Sequence, residues 1–404
     1  MLVSPPSWRS AVYMSDPASK KPLRVLRVLT RPNLGGPTRQ AIALWHAHRD
    51  LSVETLLVTG CVGPEEVELS PADHGVPSSD GRGAGWLALP DLRRGVDVFA
   101  DRRARRRLQA CIRDFQPDVV HTHTSKAGLV GRKAAWACGV PVTAHTFHGH
   151  VLKDYFGRLP SWLLAQAERR LARRTDALFA VSSSCRAELV ACGVAARDRL
   201  VVTPPAVAVA EPLGRVVARR ELSIPTDQWR VCAIGRLVPI KRMSHFVEAV
   251  ARHPDLHGDV IGDGPARSAL AALAERLVPG RVAIRRAEPE IAGLLRAYDA
   301  VVLPSVREGC PLVAIEAFAA GVPVVGYDVP GVRDALSHFG RGVLVPEADG
   351  PAGLVGALVA LRGDDAARQE LVSGARGAVD TCAPAAVAAQ LLGAYAAAAA
   401  RRSD

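Results

Sequence analysis

Short apolar runs, each about the length of a buried strand, recur along this chain with helix-forming stretches between them. The clearest are Leu23 to Thr30, Pro141 to Thr146, Ala177 to Val181, Arg230 to Ile234, Ala300 to Leu303 and Pro323 to Tyr327. Strand and helix in alternation build parallel sheets, because the chain must cross back over the sheet before laying down another parallel strand. The expected class is α/β. A chain of 404 residues, 49% of them hydrophobic, holds enough core for two domains. We expect a flexible extension over 1–21, a first domain over 22–205, a linker over 206–224 and a second domain over 225–382. An alanine-rich helix and tail over 383–404 should close the chain.

No apolar run reaches the roughly 18 residues needed to span a membrane, and the first 22 residues lack the apolar stretch of a signal peptide. Eight cysteines without a C-x-x-C pair read as reduced, mostly buried thiols, so the expected location is cytoplasmic. The net charge is +11, and Arg102, Arg103, Arg105, Arg106, Arg107 and Arg113 concentrate part of it. A solvated helix face, a peripheral contact with an anionic inner membrane surface, and a nucleic-acid footprint all suit such a run. The last lacks aromatic-interleaved basic motifs or zinc-finger spacing, so no nucleic-acid partner is expected.

The segment Leu303-Pro304-Ser305-Val306-Arg307-Glu308-Gly309-Cys310-Pro311-Leu312-Val313-Ala314-Ile315-Glu316 follows a buried strand. A helix is expected from Pro311 to Ala320, with proline at its first position and Gly321 past its end. Glu308 then lies on a loop at the strand's carboxyl end, and Glu316 one turn into the helix. Backbone N–H groups near Leu312 and Val313 form a helix N-terminus suited to phosphate. Two carboxylates beside a phosphate seat suit a nucleotide sugar.

Other strand ends carry polar residues too. Arg31 to Gln40 holds Gly35 and Gly36 in a strand–helix turn, a place for close backbone approach to phosphate or merely an ordinary turn. Residues 60–95 are rich in Gly, Pro, Asp and Ser and read as a loop excursion. Asp118 to Gly128 runs from a strand into a loop with His121, His123, Ser125 and Lys126, and a helix is expected from Leu129 to Cys138. Five of the twelve histidines fall between His121 and His150. Zinc would need three or four converging ligands, and no carboxylate or cysteine is spaced with them. In the second half, Gly235-Arg236-Leu237-Val238-Pro239-Ile240-Lys241 places two cations near a strand's carboxyl end, where they could steady a diphosphate leaving group.

Glu308 and Glu316, with Gly309, Pro311 and Leu312 between them and Gly321-Val322-Pro323 after, resemble the signature of family 4 of the retaining glycosyltransferases. Gly235-Arg236-Leu237 with Lys241, Val260 to Pro265, and Thr146-Phe147-His148 resemble further family segments. The likeness spans nearly all of residues 22–400. It implies the GT-B architecture: two facing Rossmann-like domains with parallel sheets, and a C-terminal helix crossing back to the first. It further implies His148 and Glu308 as catalytic residues. Gly36, Arg236, Lys241, Leu312, Val313 and Glu316 would bind the donor, and His121, His123, Ser125 and Lys126 would line the acceptor side. Pro205 and Ala206 depart from the usual Pro-Asn-Gly-Val of the family.

The implied reaction is metal-independent transfer with retention, from a nucleotide sugar, most simply a UDP-sugar, and without a cofactor. No Asp-x-Asp is present to bridge a metal. The acceptor would be a glycan, a lipid-linked sugar or a small molecule. The region from His121 to Gly149 resembles bacterial enzymes of exopolysaccharide or envelope-glycan synthesis. An antibiotic-tailoring transferase is the runner-up, and an epimerase or phosphorylase of the same architecture a more distant one.

Overall fold

The computed structural model describes residues 21–63, 66–95, 97–149, 158–287, 289–373 and 375–403. They form two units, one running to Ala206 and resuming at Pro384, the other Val207–Ala383. The first holds strands β1 (Arg24–Leu29), β2 (Glu54–Thr59), β3 (Gly85–Ala88), β4 (Val119–His123), β5 (Val142–Phe147), β6 (Ala177–Ala180) and β7 (Leu200–Val202). They make one parallel sheet in the order β3-β2-β1-β4-β5-β6-β7. The second unit holds β8 (Arg230–Ile234), β9 (His257–Ile261), β10 (Val282–Arg285), β11 (Ala300–Leu303), β12 (Val324–Tyr327) and β13 (Val343–Val345). Its parallel order is β10-β9-β8-β11-β12-β13.

Both sheets are doubly wound. Strand order reverses between β1 and β4 in the first unit and between β8 and β11 in the second, and the crevice outside the carboxyl ends at such a reversal is where open α/β sheets bind ligands. Continuous apolar strands are stable here because helices cover both faces. Val25 and Val119 pack towards the helices Gly36–Asp50 and Pro384–Ser403, where Val387, Leu391, Leu392, Tyr395 and Ala398 are buried among them. Leu26, Val28 and Val120 face the helices Val98–Phe115 and Ser125–Ala137. The last helix thus belongs to the first unit's core. Among the described residues no single helix is long and apolar enough to cross a membrane.

Local structure differs from expectation at several places. Residues 60–95 are not only loop, since β3 extends the sheet beside β2 through pairs such as Leu57 with Trp86. The helix expected from Leu129 begins at Ser125, because Thr124 turns sharply in the left-handed region with φ +66. Pro311 is the N-cap and not the first helical residue, and the helix runs Leu312–Ala319. The stretch 206–224 carries a helix, Arg215–Glu221, and buries Val207, Leu222 and Ile224 in the second unit's core.

Candidate active site

In the second unit the reversal lies between the loops after β8 and β11. The β8 loop presents Arg236 and Lys241, and the β11 loop presents Ser305 and Glu308. The two loops are tied by the backbone N–H of Val306, which donates to the Ile240 carbonyl at 3.0 Å. They are tied again by an ion pair, in which Lys241 Nζ donates to Glu308 Oε1. The same carboxylate oxygen accepts from Ser305 Oγ at 2.7 Å. Arg236 is half-buried and has no ion-pair partner among the described residues. A paired lysine beside an unpaired arginine leaves net positive charge at the carboxyl end of the sheet.

Glycines set the loop shapes by close approach. A side chain at Gly331, whose φ is +81, would place its Cβ 2.3 Å from the Glu308 carbonyl oxygen. The Pro330–Gly331 turn therefore lies directly against the Glu308 loop, and any larger residue would push that loop away. Val260 to Pro265 plays a packing part of the same kind. A Cβ on Gly262 would meet the Gly235 carbonyl oxygen at 1.9 Å, and Leu237 N donates to the Asp263 carbonyl at 2.9 Å.

Glu316 is buried one turn into the helix Leu312–Ala319. No side chain caps that helix, so its first N–H groups around Leu312 and Val313 carry the positive end of the helix dipole without a local carboxylate to offset it. Gly36 is likewise the first residue of a helix, Gly36–Asp50, whose N-cap Gly35 offers no side-chain acceptor.

At the reversal of the first unit, β4 gives way to Thr124, a β-branched residue in the left-handed region, a conformation that costs about 1–3 kcal/mol. Its hydroxyl lies 2.6 Å from that of Thr30 at the end of β1, and Thr30 Oγ1 accepts from Ala127 N at 3.1 Å. These contacts join the two strands that flank the reversal. Nothing in the sequence announced them, because a Thr–Thr pair 94 positions apart has no local signature.

Among the described histidines from His121 to His148, His121, His123 and His145 are buried and His148 is not. It follows β5 directly and is half-buried. His121 and His123 were expected to line an acceptor; His121 is 0% exposed and His123 1%. Their part is to stand behind His148, with His123 Nδ1 2.9 Å from His148 Nε2. Lys126, also expected to face an acceptor, donates to both oxygens of Asp101, at 2.7 and 2.5 Å. Ser125 is exposed at the start of its helix. Burial first, and Arg27 second, push the His148 pKa down to about 4, so its imidazole is neutral at pH 7. His150 lies outside the described residues.

The arginine run lies on the helix Val98–Phe115, with Arg102, Arg105, Arg106 and Arg113 exposed. Arg103 and Arg107 pair with Asp91 at 2.9 and 3.3 Å. Exposed Val98 and Phe99 sit at its first turn.

Known proteins resemble this chain in sequence and in architecture. Residues 35–206 match the family described as "Glycosyl transferase 4-like domain", and 215–377 match "Glycosyl transferases group 1". D-inositol 3-phosphate glycosyltransferases are similar: 32% identity for that of Thermobispora bispora, over 60% of this chain and 62% of the relative, and 32% for that of Xylanimonas cellulosilytica, over 70% and 73%. The 2-deoxystreptamine N-acetyl-D-glucosaminyltransferase of Streptomyces fradiae is 32% identical over 64% of this chain and 65% of that one. The chain thus spans somewhat under two thirds of two of these relatives. Among solved structures, Anabaena HepE in complex with UDP and glucose superposes with a TM-score of 0.75, at 17% identity, over 92% of this chain and 98% of that one.

Two doubly wound parallel sheets with these neighbours define the GT-B fold. The chain belongs to the family 4 glycosyltransferases, its first unit carrying the 4-like domain and its second the group 1 domain.

Proposed function

We propose that this protein transfers a sugar from a nucleotide-sugar donor, with retention at the anomeric carbon and without a metal. The observation that carries the reading is the arrangement around Lys241, Glu308 and Arg236 at the strand-order reversal of the second unit. Arg236 and Lys241 would hold the diphosphate and stabilise charge as the leaving group departs. The N-terminus of the helix Leu312–Ala319 would add its N–H dipoles, and Glu316 would take the ribose hydroxyls. Glu308 would face the transferred sugar, and His148 would contact substrate. Two cations and a helix N-terminus suffice for the role a divalent ion plays elsewhere. Two tests belong together: thermal shift and donor hydrolysis with UDP-, GDP- and dTDP-sugars, and transfer in EDTA. We expect one nucleotide class to stabilise the protein and turnover to survive chelation. Loss in EDTA with recovery on adding Mg²⁺ or Mn²⁺ would show the metal-free donor site to be wrong.

The acceptor we favour is a small cyclic polyol or aminocyclitol. The support is in the relatives, named for D-inositol 3-phosphate and for 2-deoxystreptamine. A glycan or lipid-linked acceptor in exopolysaccharide synthesis is the second reading, favoured by the exposed basic face of Val98–Phe115 with Phe99 at its head. Lysine or arginine near an anionic bilayer contributes about 1 kcal/mol each, lost as salt rises. Co-sedimentation with anionic but not neutral vesicles, abolished by reversing Arg102, Arg105 and Arg106 to glutamate, is the outcome expected of a membrane-facing enzyme. Equal pelleting of wild type and triple variant would remove that reading.

A further inference from the structure

The first unit buries a positive charge with no negative one beside it. Arg27, in the middle of β1, is 0% exposed and has no carboxylate partner among the described residues. Strand pairing sets it next to His121, and the two-residue period of β4 puts His123 on the same face. One terminal nitrogen of the guanidinium lies 3.5 Å from His121 Nδ1 and 3.3 Å from His123 Nε2. The other lies 3.4 Å from His48 Nε2 and 3.5 Å from Tyr395 Oη. Taking an ion out of water is costly, and here only neutral lone pairs offset the cost.

That arrangement dictates where protons sit. Arginine only donates and stays charged, so each imidazole nitrogen turned towards it must offer a lone pair. The contacts are long for hydrogen bonds, yet an N–H aimed at the guanidinium would be repelled. Each of the three imidazoles is therefore neutral and carries its proton on the far nitrogen. Their outer contacts are compatible with this: His48 Nδ1 lies 2.8 Å from Thr55 Oγ1 and His121 Nε2 2.8 Å from Thr146 Oγ1, and each hydroxyl can accept a proton from the ring. The Tyr395 hydroxyl lies 2.5 Å from His121 Nδ1, where it can donate to an unprotonated nitrogen. Burial, before any neighbouring charge, holds all three well below the ordinary histidine range. For His123 the far nitrogen is Nδ1, which faces His148 Nε2. His148 must accept there and keep its own proton on Nδ1.

We propose that Arg27 is a positioning residue which, through His123, fixes His148 as the Nδ1–H tautomer, so that His148 meets its substrate as a hydrogen-bond donor and not as a base. The contact with substrate rests on the glycosyl-transfer reading; the tautomer does not. A donor at this position suits the hydroxyl oxygens of a sugar and leaves no basic nitrogen exposed to activate water.

The test is long-range proton–nitrogen NMR on the full chain labelled with ¹⁵N-histidine, with His148 signals assigned by their loss in His148→Gln. We expect neutral His148 protonated on Nδ1 at pH 7. His123→Leu should shift the population towards Nε2–H and lower kcat about tenfold. His123→Gln can accept from Arg27 through its oxygen and donate through its amide nitrogen. It should keep the tautomer and stay within about threefold of wild-type kcat. A proton on Nε2 in the wild type overturns the proposal whether or not any variant folds, as does an unchanged tautomer in His123→Leu. Nδ1–H in the wild type together with a fully active His148→Gln upholds the relay and removes only the role of His148 in transfer.

Discussion

Arg236→Ala is expected to lower kcat about a hundredfold, the usual consequence of removing one preorganised donor from a developing negative charge, roughly 3 kcal/mol. Arg236 makes no ion pair among the described residues, so its loss leaves nothing unpaired and thermal stability should hardly change. Lys241→Ala removes a cation of similar importance but also strips Glu308 of its counterion. Its loss in turnover should be at least as large, accompanied by a small fall in Tm. Lys241→Ala with Glu308→Gln should then cost less than the two changes added, because residues in direct contact couple. Steady-state rates at saturating donor decide the matter. Turnover within about threefold of wild type in both single variants would end the assignment, given the size expected of such donors.

The second large effect separates the two carboxylates. Glu308 sits on the loop at the strand end, holding Lys241 and Ser305. Glu316 is buried in the helix, where on the proposed reading it holds the ribose and not the reacting carbon. Contacts equally strong in ground and transition states act on KM, whereas those that strengthen in the transition state act on kcat. Glu308→Gln keeps the shape and removes the charge, so kcat should fall about a hundredfold with donor KM little altered. Glu316→Gln should raise donor KM about tenfold and leave kcat nearly unchanged. Circular dichroism matching wild type is the control in both. If Glu308→Gln raises KM alone, Glu308 binds and does not act on the reacting centre.

Much of this architecture was legible from residue order, and for a physical reason. Runs such as Arg230–Ile234 and Ala300–Leu303 are buried on both faces of a parallel sheet, so they stand out as continuous apolar segments. β3 did not stand out: it is a four-residue edge strand with glycine at its head and half-buried side chains, which composition cannot tell from loop. The early start of the helix at Ser125 was hidden because a left-handed threonine, and not a side-chain cap, begins it.

The candidate site divides along the same line. Lys241 and Glu308 were readable one at a time, from their places after strands. Their ion pair was not, since it joins positions 67 apart. The His-x-His spacing of β4 announced two side chains on one face, but not which face or what met them there. A lone arginine in an apolar strand gave no sign that it sits among His48, His121, His123 and Tyr395. Similarly, Asp259 is fully buried against Arg230, Arg285 and Tyr298, a cluster that only the fold assembles.

The helix Pro384–Ser403 has a consequence for how the molecule is made. It seals the first sheet with Val387, Leu391 and Leu392 and brings Tyr395 to the buried arginine, yet its codons are read after those of the whole second unit. Domains commonly fold as units while the chain is still emerging from the ribosome, the N-terminal one first. Here that order cannot be completed. The first unit must wait with an uncovered apolar face and a charge lacking one of its acceptors, while the contiguous second unit can finish ahead of it. Translation reaches the last turn of this helix before the earliest part of the protein becomes native.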